Sequence, residues 1–154
     1  MFIRNLKLTR PSWSRSVLVG AAASSAYLAE MAIDMRVTAN RYDDRILLGG
    51  FFSRDSKGQK LIGTLIHYSV GVAVAAVYQA VRPSLPRVPK WLRAQIFIHL
   101  ENTLSFPSVA LADRIHPAVK DGTLPKLLTW QYYWIVSARH AAYGVVLDVL
   151  GEAE

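Results

Sequence analysis

Charged residues are confined to a few parts of this chain, and long uncharged segments separate them. The clearest such segment runs from Leu61 to Val81, 21 residues without Asp, Glu, Lys or Arg. As a helix rising 1.5 Å per residue it would be about 31 Å long, close to the thickness of the hydrocarbon core of a bilayer. A helix on the surface of a soluble protein needs a charged stripe recurring every three or four residues. The pattern therefore predicts a membrane-spanning helix.

Three further segments follow the same pattern, although each contains one or two ionisable residues. We predict an all-α protein, an integral membrane four-helix bundle with antiparallel, up-down topology and a single domain covering 1–154. A soluble helical domain is the alternative. Pro107 should kink the third span, because proline interrupts the helical hydrogen bonds. The predicted transmembrane helices are residues 16–35, 61–81, 91–112 and 126–150.

Small residues dominate the first half of the first span, from Gly20 to Ala26. Such residues let neighbouring helix backbones approach closely, so we expect a packing face here, and Gly71 and Ala75 repeat the pattern in the second span. A basic tail followed by small residues also fits a cleaved signal peptide. Against cleavage, the apolar pattern continues as far as Ile33.

Composition refines this picture in two ways. The formal charge of +7 comes mainly from basic residues flanking the spans, which indicates a lipid bilayer with anionic head groups as the partner and no nucleic acid. Other membrane proteins or self-association are further candidate partners. Cysteine is absent, so disulfides and thiolate ligands are excluded.

Orientation follows from the distribution of Lys and Arg near the span ends. The amino-terminal tail and the proline-rich turn after the second span contain basic residues and no acid, which favours both termini in the cytoplasm. In the last span, the run of His140, Tyr143 and Gly144 is loosely similar to bacterial inner-membrane proteins. That resemblance implies the bacterial inner (plasma) membrane as the location and implies no activity.

Ionisable residues inside the spans are the candidates for chemistry, because burying each one costs a few kcal/mol unless it is paired or reaches water. Arg139 cannot lose its proton, and Glu101 is the carboxylate expected at its depth, so we predict a buried Glu101–Arg139 pair. Glu30 and His67 are expected at a second common depth, and we predict that they pair there. The remaining candidates for a polar cavity, together with Glu30 and His67, are Asp34, His99, Asn102 and His140.

Two interpretations of the predicted Glu101–Arg139 pair remain open. The pair either locks the third helix against the fourth, or it lines a polar cavity for an anionic or polar substrate. In the first connection, Asp43 and Asp44 could bind a cation. Helix capping with local pairing to Arg41 or Arg45 is the commoner explanation, and we expect that role.

Motifs for catalysis and for cofactors are missing from the sequence. Di-iron bundles use a Glu-x-x-His pair twice, and no such pair occurs here. Neither a Gly-x-Ser-x-Gly turn nor a glycine-rich phosphate loop is found. We therefore predict no catalytic residue, no metal site and no bound cofactor.

Three classes of function remain. We favour a structural, assembly or partner-binding membrane subunit that acts through the small-residue faces of the first two spans. The first alternative is a polar-substrate or proton-conducting protein that uses the buried charged and titratable groups Glu30, His67, Glu101, Arg139 and His140. The second alternative is a membrane enzyme or cofactor carrier built from the same residues.

Overall fold

The computed structural model describes residues 7–151, and every regular element in that range is helical. The all-α prediction is therefore confirmed for these residues. The helices are α1 (Trp13–Val37), α2 (Asp44–Gly49), α3 (Ser56–Val81), α4 (Lys90–Ser105), α5 (Val109–Ile115), α6 (Pro117–Lys120) and α7 (Trp130–Gly151), with 3₁₀ turns at Arg82–Ser84 and Phe106–Ser108.

Local sequence sets where several of these helices begin and end. The side chain of Asp55 caps α3 by accepting a hydrogen bond from the Gly58 amide at 2.8 Å, which satisfies one free amide of the first turn. Pro83 follows the end of α3, and Pro89 precedes the start of α4. The predicted break at Pro107 is confirmed as a 3₁₀ turn between α4 and α5, because proline cannot continue the helical ladder.

The four long helices form an antiparallel arrangement that is open along one side. α1 packs between α3 and α7, and α7 also packs against α4. The backbones of α3 and α4 lie farther apart, and Tyr78 of α3 packs on Phe97 of α4 with ring centroids 5.1 Å apart. Cross-helix hydrogen bonds fix the directions: Arg15 at the start of α1 reaches Leu150 at the end of α7, and Gln95 early in α4 reaches Ala141 in α7. The gap between α3 and α4 is the opening of the bundle.

The small-residue faces of α1 and α3 pack against each other. A Cβ on Gly20 would lie 2.5 Å from the Val72 Cα, and a Cβ on Gly71 would collide with the Ser24 hydroxyl. The expected packing face therefore exists, but it is used within the chain. Ser25 in the same run of small residues stays exposed, and binding of a partner through these faces stays a prediction.

Two helices are long and apolar enough to cross a membrane, namely α1 and the continuous segment Ser56–Ser84, with mean hydropathy of 1.4 and 1.7 in their most apolar windows. α4 has 16 residues, and α7 contains Trp, Tyr and Gln in its first turns. The lack of charged residues therefore suggested a higher hydropathy for the third and fourth predicted spans than their polar and aromatic residues allow. The four-span prediction reduces to two candidate spans, which is weak support for membrane association.

The connections contain more structure than the sequence pattern indicated. α2 lies in the first connection and packs across α3, and α6 lies in the connection that precedes α7. α7, which corresponds to the fourth predicted span, begins at Trp130, four residues later than predicted. Both chain ends, including Arg4 of the basic tail, lie outside the described residues, so the cytoplasmic orientation of the termini stays a prediction.

Large apolar side chains cover much of the outer surface. They occur on all four long helices, and typical examples are Leu18 on α1, Leu65 on α3, Leu104 on α4 and Val149 on α7, each at least 61% exposed. Exposed apolar patches of this extent mark interaction sites or membrane contact in native proteins.

Candidate functional site

Arg139 is the most deeply buried charged group in the described residues, with 0% of its surface exposed. Its Nε and Nη2 donate to the two oxygens of Asp34 at 2.7 and 2.9 Å, and its Nη1 donates to Asp44 at 2.8 Å. Glu30 lies farther off, with 3.9 Å between its Oε2 and the arginine Nε. The guanidinium thus joins α7 to the end of α1 through two hydrogen bonds and to α2 through one.

Two buried tyrosines complete the coordination of Asp44. The Tyr27 hydroxyl donates to one carboxylate oxygen at 2.7 Å, and the Tyr132 hydroxyl donates to the other at 3.0 Å. Asn40 donates to Asp34 at 2.7 Å. Each of these two carboxylates is therefore held by the guanidinium and by at least one neutral donor, as buried ions require. We name this group, Tyr27, Asp34, Asp44, Tyr132 and Arg139, the arginine cluster.

The predicted Glu101–Arg139 pair is wrong, because Arg139 pairs with Asp34 and Asp44 while Glu101 lies against His140. The depth argument failed because residues 139 and 140 point in different directions from α7 and because α2 folds back onto the bundle. The seven-residue spacing of Tyr27 from Asp34, and of Tyr132 from Arg139, places each pair on one helix face. That spacing could have indicated the two tyrosines, whereas no sequence signal indicated Asp44.

The neighbouring carboxylates Asp43 and Asp44 have different roles. Asp43 caps α2 through the Arg45 amide at 3.0 Å and pairs with the Arg45 side chain at 2.8 Å. The capping and local pairing expected from the sequence are confirmed for Asp43 and wrong for Asp44. Burial raises the pKa of Asp43, but hydrogen bonds and the charge of Arg45 outweigh burial and lower it below its ordinary value.

His140 and Glu101 form a second polar group, which we name the acid–imidazole pair. His140 Nδ1 lies 2.8 Å from the Val136 carbonyl oxygen, and Nε2 lies 3.2 Å from Glu101 Oε2. A carbonyl can only accept, so Nδ1 carries a hydrogen. The contact of Nε2 with Glu101 is an ion pair when the imidazole also carries a proton on Nε2.

His67 lies near this pair without joining it. Its ring packs on Tyr27 with centroids 4.6 Å apart, and the ring of His140 packs on the same tyrosine at 5.2 Å. His67 Nε2 and Glu30 Oε2 are buried and have no hydrogen-bond partner among the described residues. The predicted Glu30–His67 pair is therefore not formed through these atoms, and His67 keeps a free polar atom inside the bundle.

A cavity of about 220 Å³ lies between α1, α2, α3, α4 and α7. Its polar lining includes His67, Glu101, Asn102 and His140, and most of its other walls are apolar or aromatic. The remaining lining residues are Tyr27, Asp44, Leu47, Leu48, Val70, Gly71, Val74, Ile98, Ser105, Phe106, Ser108, Val109, Tyr132, Val136 and Tyr143.

The residues predicted to line one polar cavity thus lie at different places in the structure. His67, Asn102 and His140 line this cavity, and Asn102 donates to the Ser137 hydroxyl at 3.0 Å. Glu30 and Asp34 lie instead at the arginine cluster, and His99 does not line the cavity. Tyr27, Asp44 and Tyr132 belong to both features, so the arginine cluster forms part of the cavity wall.

An apolar groove continues from the cavity to the outer surface through the gap between α3 and α4. Its volume is about 550 Å³, and it shares Val70, Val74, Glu101 and Ser105 with the cavity. The rest of its lining is Ala73, Val77, Phe97, Leu100 and Leu104. The groove therefore leads from an apolar exterior to the acid–imidazole pair.

His116, which the sequence analysis did not single out, is fully buried beside α2. Its Nε2 donates to the Leu47 carbonyl at 2.9 Å and its Nδ1 accepts from the Ala118 amide at 3.1 Å, so its ring is neutral. Burial lowers the pKa of His116, against smaller opposite effects of Leu47 and Asp121. Both nitrogens are satisfied, which indicates a structural role in holding α2 to α6.

The described residues contain no group of three or more His, Asp or Glu side chains arranged to hold a metal ion. Comparison of the chain with protein-family models, curated proteins and solved structures finds no match. The geometry of the cavity, the groove and the two polar groups is therefore what bears on function.

Proposed function

We propose that this protein is a small multi-pass integral membrane protein that binds a single-chain amphiphile in the cavity between its helices. The observation that carries the proposal is the apolar groove between α3 and α4, which shares part of its lining with a cavity that also has polar groups in its wall. The acyl chain would lie in the groove and the polar head in the cavity. This proposal keeps the partner-binding class and changes the partner from a protein to a lipid-like molecule.

The membrane setting belongs to the proposal. We infer that α1, α3, α4 with α5, and α7 cross the bilayer of a bacterial inner membrane with anionic head groups, both termini being cytoplasmic. The two apolar helices α1 and α3 and the exposed apolar residues on all four long helices support this arrangement. In a bilayer the groove would open toward the lipid chains, and a lipid-soluble ligand could enter sideways.

The polar interior supports ligand binding over a purely structural role for the cavity. In a structural bundle the buried polar atoms are normally satisfied, as they are for the guanidinium of Arg139 and both oxygens of Asp44. His67 Nε2 is buried without a partner in the described residues. Ligand sites combine apolar walls with a few such polar groups.

Photolabelling in lipid nanodiscs tests this function. The probe is dodecanol that carries a diazirine in its chain, and specific labelling is the part that excess plain dodecanol removes. We expect specific labels on α3 near Val70 and on α4 near Leu104, because both residues line the groove. Specific labelling spread evenly over the four long helices, or none, would overturn the proposal.

A pair of matched tryptophan variants sharpens the test. Val70→Trp places a large side chain where the groove meets the cavity, and Val145→Trp makes the same change on the outer face of α7; the two valines are 50% and 56% exposed. We expect Val70→Trp to abolish specific labelling and Val145→Trp to retain it. Equal labelling of both variants would contradict a ligand path through the groove.

A proton-conducting role is the second candidate, and the contact between Glu101 and His140 favours it. Glu101, His140 and His67 line one cavity and could pass a proton. Arg139 does not release its proton, so it would interrupt a path through the predicted series of charges. Proton flux into liposomes under an imposed gradient tests this candidate, and flux that His140→Gln leaves unchanged would refute it.

A further inference from the structure

We infer that the cavity selects an amphiphile with an uncharged hydroxyl head and rejects anionic heads. The inference rests on the proposed amphiphile binding and adds the chemistry of the head. Its basis is the combination of the acid–imidazole pair, a His67 nitrogen without a partner in the described residues, and a neighbouring cluster in which acids outnumber the one base.

Charge is the first argument. The residues that line the cavity include Glu101 and Asp44 and no Lys or Arg. Arg139 lies behind the wall, and its guanidinium is already shared between Asp34 and Asp44, with Glu30 3.9 Å away. A phosphate or carboxylate head would therefore meet no free cation and would lie near carboxylates, which is unfavourable at low dielectric.

Hydrogen-bonding capacity is the second argument. A neutral imidazole has one nitrogen that donates and one that accepts, and His67 Nε2 is buried without a partner in the described part of the chain. Glu101 offers a further carboxyl oxygen beside the cavity. A hydroxyl group both donates and accepts, so it can satisfy either tautomer of His67. Where His67 Nε2 carries the hydrogen, the hydroxyl accepts from it and can donate its own hydrogen to Glu101.

Size is the third argument. The cavity holds about 220 Å³, which is below the range of roughly 300–1,000 Å³ for sites that enclose a drug-sized ligand. A compact head fits this space, while the apolar chain extends into the larger groove of about 550 Å³.

Two photoreactive probes with the same chain test the inference, namely diazirine-bearing dodecanol and the corresponding dodecyl phosphate. At neutral pH we expect the alcohol to label the groove residues of α3 and α4 specifically and the phosphate to do so at least about fivefold less, which corresponds to the loss of one ordinary hydrogen bond. Equal or stronger specific labelling by the phosphate would overturn the inference while leaving the proposed function intact. If neither probe labels the groove, the proposed function itself fails.

Two variants separate head recognition from general damage. Glu101→Gln removes the carboxylate and should narrow the preference for alcohol over phosphate. His67→Phe keeps an aromatic ring against Tyr27 and should lower alcohol labelling about fivefold without raising phosphate labelling. His99→Phe is the matched control on α4, because His99 does not line the cavity, and should leave both probes unchanged. An alcohol-to-phosphate ratio identical in wild type and Glu101→Gln would contradict recognition through this pair.

Discussion

The arginine cluster yields the sharpest prediction about stability. Arg139→Met keeps the apolar part of the side chain and removes the guanidinium, which has 0% exposure and donates three hydrogen bonds to Asp34 and Asp44. Both carboxylates would remain buried without a cation. Breaking a buried ion pair in this way costs about 3–5 kcal/mol, so we expect the free energy of unfolding to fall by that amount.

A double-mutant cycle separates this pairing from general damage. Asp34→Asn removes the charge that Arg139 contacts with two hydrogen bonds. The double variant Arg139→Met with Asp34→Asn should recover about 0.5–3 kcal/mol relative to the sum of the single losses, because one uncompensated charge disappears. Unfolding is followed by far-ultraviolet circular dichroism during titration with sodium dodecyl sulfate in mixed micelles.

Two controls make the cycle decisive. Arg54→Met changes an exposed arginine and should alter the free energy of unfolding by less than about 0.5 kcal/mol. Arg139→Met with Glu101→Gln should be additive within about 0.5 kcal/mol, because Glu101 pairs with His140. Strict additivity of Arg139→Met with Asp34→Asn, or stronger coupling to Glu101 than to Asp34, would refute the assignment of partners.

Three further predictions use the same unfolding titration. Gly20→Ala should lower the free energy of unfolding by about 1–3 kcal/mol, because the added Cβ would lie 2.5 Å from the Val72 Cα. Gly151→Ala is the control: its Cβ would have its nearest contact at 3.6 Å, so the loss should be less than about 0.5 kcal/mol. Equal losses would contradict the close approach of α1 and α3. Burial lowers the pKa of His116 below its ordinary 6.5, so the unfolded chain takes up the proton first and the stability from the neutral ring should be lost as the pH falls through about 6.5. His116→Gln should therefore flatten the dependence between about pH 8 and pH 5, and an unchanged slope would count against this role. Asp43→Ala should lower the free energy of unfolding by about 0.5–2 kcal/mol, and Asp43→Asn by less, because asparagine also caps helices. Burial raises the pKa of Asp43, but Arg45 lowers it overall. The acid-dependent part of this stability should therefore be present above about pH 3.8 and lost below it.

Several features followed directly from the order of residues. The all-helical class, the close contact through Gly20 and Gly71, and the interruption at Pro107 depend on local properties, namely charge exclusion, the missing Cβ and the missing amide hydrogen. The positions of His67, Asn102 and His140 on one cavity were also within reach, because each is a polar residue in a long uncharged segment.

The partners of the buried charges depended on the tertiary structure. Equal depth along two helices says nothing about rotation around their axes, so Arg139 and His140, although adjacent in the chain, contact different acids. Asp44 reaches the arginine because a short helix folds back across α3, which no periodicity encodes.

The sequence by itself determined where charge is excluded, and hence that this chain forms long apolar helices. Only the tertiary structure decided that the small-residue faces of α1 and α3 pack against each other, that the backbones of α3 and α4 stay apart, and that a polar cavity opens through their gap. The physical reason is that helix formation is set by contacts within a few residues. Helix rotation and spacing, in contrast, are set by the side chains of other helices distant in the chain.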